Sequence, residues 1–281
     1  MRVKITADST CDLPRSLAER FDVGIVPLYV VKDGQSYRDG VDIVPEDIYT
    51  HVERGGDLCT TSAVTVGDYE DFFQREMEGY DAIIHFTIAS GMSACYQNAC
   101  IAAAEMEHIY PFDSQSLSVG IALLAIHAAE LAAEGKSVDE ILTALEDKRR
   151  KLEVSFVVDT LEYLRKGGRC SALAAMGANL LSLKPCIEVR DGAMGVGKKY
   201  RGKMEKCLLD YVRERLEGAQ DVEENYVFLV DSGRLPEDLR QRVQQEILRY
   251  LPKATVHMTA AGGTICCHCG PGALGVIFSR K

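Results

Sequence analysis

The feature that most constrains the fold of this chain is an alternation of short β-branched segments with longer segments of helical periodicity. The longer segments place apolar residues three and four positions apart, as one face of an α-helix requires. Strands that alternate with helices in this way are typical of a parallel sheet covered by helices. The sequence therefore predicts an α/β fold.

Four of the strand-like segments end in an acidic residue followed by a hydroxyl residue. Hydroxyl side chains at such positions often cap the free N–H groups of the first turn of a helix. We therefore expect each pair to lie where a strand gives way to a helix. The four pairs are Asp8-Ser9, Asp113-Ser114, Asp159-Thr160 and Asp231-Ser232.

Residues 185–199 predict a β-hairpin whose two-residue turn is Asp191-Gly192. The last eight of these residues also match a phosphate-binding P-loop at seven positions, but Lys199 replaces the hydroxyl residue that binds Mg²⁺. A P-loop runs from a strand into a helix, whereas this glycine-rich run follows a hairpin turn. We therefore predict no nucleotide site and no cofactor.

The hairpin is antiparallel structure and so differs from the pattern before it. Ser137 and Glu140 form a capping box that starts a helix predicted to reach about Leu152. We therefore predict two domains: a Rossmann-like domain with a parallel sheet over residues 1–152, which carries the hydroxyl loops, and a smaller α/β domain with a mixed sheet over residues 153–281.

The charge and the composition limit the possible partners. A net charge of −10 and the absence of Trp disfavour nucleic acid as a partner. Two local basic clusters, which include Arg169 and Arg201, are the places where a partner or a phosphate group could approach. These two arginines are therefore interpreted as partner-facing, although solvated side chains are the simpler interpretation for most of the clusters.

The ten cysteines do not predict disulfides, because the chain is not small and its first residues lack a long apolar signal core. A reducing, cytoplasmic location is expected. Residues 121–133 are too short to span a bilayer and predict a buried helix. The run Cys266-Cys-His-Cys269 lacks a second Cys-x-x-Cys pair, so no metal site is predicted.

Neutral hydrogen-bond donors cluster in two predicted loops and could accept a carboxylate. Residues 90–93 follow an apolar strand and precede a helix, and a second hydroxyl run lies at 60–62; capping alone would explain both equally well. A third candidate is an imidazole predicted at a strand end, beside the sharp turn of Gly270-Pro-Gly272. The candidate carboxylate-binding residues are Thr61, Ser62, Gly91, Ser93 and His268.

Two other classes of function stay open on the residues alone. Ser93, Asp231 and His268 occur in the order of an α/β-hydrolase triad, although Cys95 occupies the position of the second glycine of the nucleophile elbow. No glycine-rich oxyanion loop precedes it. The alternatives are therefore a serine hydrolase or esterase and, with the basic cluster around Lys198, a regulatory or nucleic-acid-binding protein.

Six motifs, in order and in spacing, closely resemble the DegV family, and the resemblance covers essentially the whole chain. Two positions differ from the common family pattern: Ala63-Val64 stands where Gln-Pro is common, and Ala94-Cys95 where Gly-Thr is common. The motifs are Asp8-Ser-Thr-Cys-Asp-Leu-Pro14, Thr61-Ser62, Ser90-Gly-Met-Ser93 with Tyr96-Gln97, Lys166-Gly-Gly-Arg169-Cys-Ser171, Lys184-Pro185 and His268-Cys-Gly-Pro-Gly-Ala-Leu-Gly275.

The resemblance implies a two-domain α/β protein whose second domain helps to enclose a long-chain fatty acid. It also implies the role of the lipid-carrying subunit of a bacterial fatty acid kinase, with no catalysis of its own. Such a subunit presents the acyl carboxylate to a separate ATP-dependent kinase subunit. Carried over by position, the carboxylate contacts fall on Thr61 and Ser93, with His268 beside them.

Overall fold

The computed structural model describes residues 1–171 and 183–281, and these form three β-sheets packed with helices. The strands are β1 (Val3–Asp8), β2 (Val23–Val26), β3 (Tyr29–Lys32), β4 (Gln35–Arg38), β5 (Thr60–Ser62), β6 (Ala82–Thr87), β7 (Ile109–Asp113), β8 (Leu152–Val157), β9 (Leu183–Arg190), β10 (Ala193–Arg201), β11 (Val227–Asp231), β12 (Val256–Ala260) and β13 (Leu274–Ser279). The α/β class predicted from the sequence is confirmed.

A short 3₁₀ turn at Ser9–Cys11 follows β1, and the α-helices lie between the strands. None of the helices in the described ranges is both long and apolar enough to cross a bilayer. The helices are α1 (Arg15–Arg20), α2 (Pro45–Glu53), α3 (Val66–Glu76), α4 (Cys95–Ala104), α5 (Val119–Ala133), α6 (Val138–Arg150), α7 (Glu162–Gly167), α8 (Met204–Leu216), α9 (Glu237–Tyr250) and α10 (Gly263–Cys269).

The first sheet is parallel throughout, with the strand order β2-β1-β6-β7. The second has six strands in the order β10-β9-β8-β13-β11-β12, and only β11 and β12 pair in parallel. A small antiparallel sheet, β4-β3-β5, accompanies them. The parallel sheet and the mixed sheet thus occur in the order that the sequence predicted.

Helix α5 is the element that joins the two large sheets. It packs against β1 and β6 on one side and against β8 and β13 on the other. A helix with sheets on both sides must be apolar around most of its circumference. Ten of the 15 residues of α5 are buried. The interpretation of residues 121–133 as a buried helix is confirmed.

Helices α8 and α9 form a second core with the mixed sheet. Tyr211 of α8 is fully buried, and its hydroxyl donates to the carbonyl of Ser155 at 2.8 Å and accepts from the amide of Val276 at 3.0 Å. A buried phenol is costly without such partners. These bonds fix α8 on strands β8 and β13.

Two local predictions are confirmed and two are corrected. The hairpin β9–β10 turns at Asp191 and Gly192, both with positive φ, and Ser137 caps α6 together with Glu140. Helix α6 ends at Arg150, before the predicted Leu152, because residue 152 begins β8.

The second correction concerns the acid–hydroxyl pairs at the strand ends. At three of them the side chain of the acid accepts a backbone N–H group of the following turn, and at Asp113-Ser114 the Ser114 hydroxyl also accepts one, from Ser116 at 3.1 Å. Asp8 accepts from the amide of Thr10, and Asp231 accepts from the amide of Gly233 at 2.7 Å. Asp113 accepts from the amide of Gln115 at 3.0 Å. A carboxylate is the stronger acceptor, so it shares the capping that was assigned to the hydroxyl. At the fourth pair the Thr160 hydroxyl accepts from the amide of Glu162 at 3.3 Å, as predicted.

Candidate binding site

The candidate site lies at the carboxyl end of the parallel sheet, beside the loop that follows β6. Strand β1 lies in the middle of the sheet. The next strand in the chain, β2, pairs with one edge of β1, and β6 pairs with the other edge. The chain therefore changes direction between β1 and β6, and ligands of open α/β sheets bind at such a switch point. Ser93 is on this loop, just before α4.

Thr61 and His268 form the polar centre of the site. Thr61 lies in the middle of β5, opposite Val30 of β3, and its Oγ1 is 2.8 Å from Nε2 of His268. His268 lies in α10, not at the end of a strand as the sequence predicted. The adjoining turn is confirmed, since Gly270 and Gly272 both have positive φ.

The N-terminus of α10 is fixed by the carboxyl groups of two residues among the first forty. Asp12 accepts from the amide of Gly262 at 2.7 Å, and Asp39 accepts from the amides of Gly263 at 2.8 Å and of Thr264 at 3.0 Å. These bonds satisfy N–H groups that a helix start leaves free. Two acidic residues distant in sequence therefore position the helix that carries His268.

His268 is largely enclosed and uncharged at neutral pH. Burial, together with the positive charge of Arg169, lowers the pKa of His268 to about 4. Its Nδ1 has no hydrogen-bond partner among the described residues, and an ideal Cβ on Gly167 would lie only 2.3 Å from that atom. Gly167 is thus the residue that allows the backbone of α7 to approach the imidazole.

A cavity of about 60 Å³ opens beside Thr61 and His268. Ser62, Ser93 and Arg169 also contribute to its wall. These residues form the polar end of the cavity, and the rest of the wall is apolar except for Thr264. The apolar wall consists of Leu28, Ala63, Ile88, Met92, Leu117, Phe156, Leu164, Met194, Ile265 and Cys269.

A second, almost wholly apolar cavity of about 30 Å³ lies next to the first. The two cavities share part of their walls, so a narrow partition separates them. The second cavity is lined by the mixed sheet through Val230, Leu274 and Ile277. The shared residues are Leu117, Phe156, Ile265 and Cys269.

The structure brings together four of the five predicted site residues. Thr61, Ser62, Ser93 and His268 line the first cavity, whereas Gly91 is not part of its described wall. An ideal Cβ on Gly91 would instead lie 3.2 Å from the carbonyl of Gly192. The missing side chain of Gly91 therefore leaves room for the turn of the β9–β10 hairpin. Ser93 also accepts from the amide of Cys95 at 3.3 Å, which means that the capping interpretation holds for it too.

The two predicted partner-facing arginines occupy different places. Arg169 reaches the cavity wall, where its guanidinium donates to the carbonyls of Met92 at 3.3 Å and of Gly167 at 2.7 Å. Arg201 is exposed at the end of β10 and does not line the cavity. The sequence analysis considered only neutral donors for this site and therefore missed Arg169, although that residue belongs to the basic cluster 165–169.

The residues of the hydrolase alternative do not form a triad. Asp231 is bound by the amide of Gly233 and by Arg240 at 3.0 Å, and Ser93 donates to the sulfur of Cys95 at 3.2 Å. Among the described residues, the imidazole of His268 bonds to Thr61 and to neither Ser93 nor Asp231. In the part of the chain that the structure describes, no group of three or more His, Cys, Asp or Glu side chains is placed to hold a metal ion.

Comparison with known proteins gives one consistent result. The DegV family model, described as a family of uncharacterised proteins, matches residues 2–281. A DegV domain-containing protein of Clostridium acetobutylicum is 32% identical over 285 residues, which cover 100% of this chain and 99% of that protein.

Solved structures agree with this over the whole fold. A DegV family protein from Thermus thermophilus, solved for its fatty acid binding, has a TM-score of 0.90 and 32% identity and covers 100% of both chains. A stearic acid-binding protein from Eubacterium ventriosum has a TM-score of 0.86 and 27% identity, over 99% of this chain and 98% of that chain.

Proposed function

The chain belongs to the DegV family, and we propose on this basis that it binds a long-chain fatty acid and presents the carboxylate to a separate ATP-dependent kinase. The observation that supports this most is the polar end of the first cavity. Thr61, Ser93 and His268 surround it, with Arg169 in the same wall. The rest of the wall is apolar, which suits an acyl chain.

The head group would be held by hydroxyls and an imidazole, with Ser62 beside them. A carboxylate taken from water needs hydrogen bonds to replace its hydration. Thr61 and Ser93 supply O–H donors, and the neutral imidazole of His268 supplies an N–H donor in the appropriate tautomer. The guanidinium of Arg169 adds the positive charge that a buried carboxylate otherwise lacks.

The acyl tail would follow the partition from the first cavity into the second. Each methylene removed from water contributes about 0.8 kcal/mol. The two cavities are much smaller than the few hundred Å³ that enclosed ligands usually occupy. Binding must therefore move side chains of the wall, and the unbranched Met92 and Met194 are the ones that change shape most easily.

Presentation to the kinase requires that the carboxylate at the polar end be reachable from outside the protein. We propose that Arg201 contacts the kinase, that Arg169 lies between the ligand and the kinase, and that this chain catalyses no reaction itself. The parts 1–152 and 153–281 would act as two domains that enclose the lipid, in the cytoplasm where the acyl phosphate is used.

The test is the lipid content of the purified protein. Protein made in a bacterial host should carry fatty acid at near-stoichiometric amounts, which organic extraction and mass spectrometry of the native protein measure. Acyl phosphate should form with ATP only when a fatty acid kinase is added. Native protein that yields no fatty acid, even after incubation with palmitic acid, would refute the proposal.

A further inference from the structure

A polar cleft of about 270 Å³ lies apart from the two cavities described above. Its walls come from the end of α6, from β8 and β9, and from α8. It shares no described lining residue with the cavity at Thr61 and His268 or with the apolar cavity beside it. The fatty acid binding proposed above therefore does not account for it.

Four arginines line this cleft. Arg149 and Arg150 end α6, Arg190 ends β9, and Arg215 lies in α8. Each guanidinium carries five N–H donors in a fork that matches the oxygens of an oxyanion. The four side chains come from three elements that are distant in sequence, so the fold brings their positive charges to one place.

The acidic residues of the wall do not balance the four arginines. Glu188 accepts from Nε of Arg190 at 3.1 Å and from Nη2 at 2.8 Å, and Glu153 accepts from Arg215 at 2.6 Å. Asp191 is the third acid of the wall. Four guanidinium groups thus face three carboxylates, which leaves the wall with a positive formal charge that favours an anion.

The two arginines of α6 differ in how firmly they are held. Arg149 donates to the carbonyl of Asp113 at 2.8 Å and to Glu146 at 2.5 Å, so its guanidinium is fixed before any ligand arrives. Arg150 is 3.7 Å from Asp147, which is beyond hydrogen-bonding distance. A prearranged donor loses little conformational freedom on binding, and a free one can move to meet the ligand.

Two buried donors of the wall have no hydrogen-bond partner among the described residues. They are Nε of Arg215 and the hydroxyl of Ser116. Ser116 is 2% exposed, and the side chain of Arg215 is 16% exposed. A buried donor without an acceptor destabilises the folded protein. An oxygen-rich ligand in the cleft would supply acceptors that the described part of the chain does not.

We propose that this cleft binds a phosphate dianion, either as the free ion or as the head group of a small phosphate ester. A phosphate group presents at least three acceptor oxygens on different sides, which matches donors that approach from α6, β9 and α8. A carboxylate presents two oxygens in one plane. The volume lies just below the roughly 300 Å³ of small ligand pockets, so a phosphate with a short substituent fits.

The experiment titrates the full-length protein with sodium phosphate and, separately, with methyl phosphate, while sodium chloride keeps the ionic strength constant. Isothermal titration calorimetry measures the affinity. The Tm should rise with each probe that binds, because the ligand binds the folded chain and not the unfolded one. Sodium acetate should have no effect. Binding of inorganic phosphate alone would identify the free ion, and binding of methyl phosphate as well would identify the ester.

Substitutions at the exposed arginines test the place of binding. The side chains of Arg150 and Arg190 are 70% and 75% exposed, so Arg150→Gln and Arg190→Gln should fold normally. Each should weaken phosphate binding roughly tenfold, since each removes a hydrogen bond between charged groups.

The matched control is Arg249→Gln in α9. The side chain of Arg249 is 74% exposed and lies 3.8 Å from Glu246, three residues earlier, much as Arg150 lies near Asp147. Arg249 is not part of the described wall of the cleft, so this variant should bind phosphate like the parent. Arg169→Gln, in the wall of the fatty acid cavity, should also leave phosphate affinity unchanged.

Three results would overturn the proposal. A Tm that phosphate raises no more than sodium chloride does would show that the cleft is a closed network of ion pairs. An equal response to acetate would contradict the assignment to phosphate. Parent-like affinity in both Arg150→Gln and Arg190→Gln would place the anion elsewhere. Protein that binds phosphate but no fatty acid would refute the proposed function and leave this site intact.

Discussion

The hydroxyl of Thr61 and the imidazole of His268 lie 2.8 Å apart although 207 positions separate them in the chain. The contact joins a three-residue strand to a seven-residue helix, and neither element is stable alone. The bond therefore depends on the packing around it, and substitutions there should change ligand binding without unfolding the protein.

Removal of the Thr61 hydroxyl should weaken fatty acid binding. Thr61→Ala takes away one donor to the carboxylate, and a hydrogen bond to a charged group contributes about 1.5–3 kcal/mol, so affinity should fall roughly ten- to a hundredfold. Ser93→Ala should behave alike. Displacement of cis-parinaric acid measures the change. Thr60→Ala, exposed on the same strand, is the control. Parent-like affinity of both site variants would place the carboxylate elsewhere.

Removal of the imidazole should separate binding from presentation. His268→Ala should retain more lipid than Thr61→Ala, because the apolar tail provides most of the binding free energy. Kinase-dependent acyl phosphate formation should nevertheless be lost, since the imidazole no longer orients the head group for transfer. The two measurements are extracted lipid per protein and acyl phosphate per minute. Equal loss of both would contradict the separate role of His268.

The two arginines should differ in what they affect. Arg169→Gln removes a charge from the cavity wall, so affinity should fall by roughly tenfold and should depend less on salt. Arg201 lies outside that wall, so Arg201→Gln should leave the affinity for fatty acid unchanged. It should lower the rate of kinase-dependent acyl phosphate formation. Lys166→Gln, an exposed neighbour of Arg169, is the control. An unchanged rate in the Arg201 variant would exclude its proposed contact with the kinase.

A methyl group at Gly167 should displace the imidazole. Its ideal position is 2.3 Å from Nδ1 of His268, which no real Cβ contact tolerates. Gly167→Ala should therefore lower acyl phosphate formation and change the ¹H–¹⁵N signals of the His268 ring. Gly67→Ala in α3 meets no atom within 4 Å and should stabilise the protein by about 0.4–1 kcal/mol. Unchanged ring signals would show that the helix adjusts instead.

Stability should fall as the pH rises from 6.5 to 8. Burial raises the pKa of Asp12 to about 8 and that of Asp8 to about 6, against 3.8 in the unfolded chain, so the folded protein holds protons that the unfolded chain releases. Burial also lowers the pKa of His268 to about 4 and that of His85 to about 3, which opposes this slope; the opposition fades over roughly one pH unit above 6.5, as the imidazoles of the unfolded chain lose their protons.

Above pH 6.5 only Asp12 of these four groups still titrates in the folded state. The free energy of unfolding should then fall by up to about 1.4 kcal/mol per pH unit. Urea unfolding at pH 6.5 and at pH 8 measures the slope. Asp12→Asn should flatten it, whereas Asp57→Asn, at an exposed position, should not. A stability that rises over this interval would contradict the assigned pKa of Asp12.

The fold class and the hydroxyl loops could be predicted because both depend on local patterns. Strand–helix alternation and the buried periodicity of α5 follow from the order of apolar residues. Helix α10 could not be found in this way. It has seven residues, four of them Gly or Cys, and it is held by Asp12 and Asp39 rather than by its own propensity.

The place of Arg169 in the cavity wall could not be predicted for a related reason. A cluster of basic residues in a sequence does not tell which member reaches a cavity. The bonds to the carbonyls of Met92 and Gly167 bring Arg169 to the cavity, and those carbonyls carry no signal in the sequence. The approach of Gly167 to His268 likewise depends on two segments about a hundred residues apart.

The carboxyl groups that hold α10 also determine where the chain can be divided into fragments. The amides of Gly262, Gly263 and Thr264 find their acceptors in the first forty residues, and a buried amide left without an acceptor costs about 1–3 kcal/mol. A fragment that begins near residue 153 therefore lacks the groups that complete its last helix. Such a fragment should be restored by fragment complementation with residues 1–152, and the reassembled pair should recover the Thr61–His268 contact only when both pieces are present.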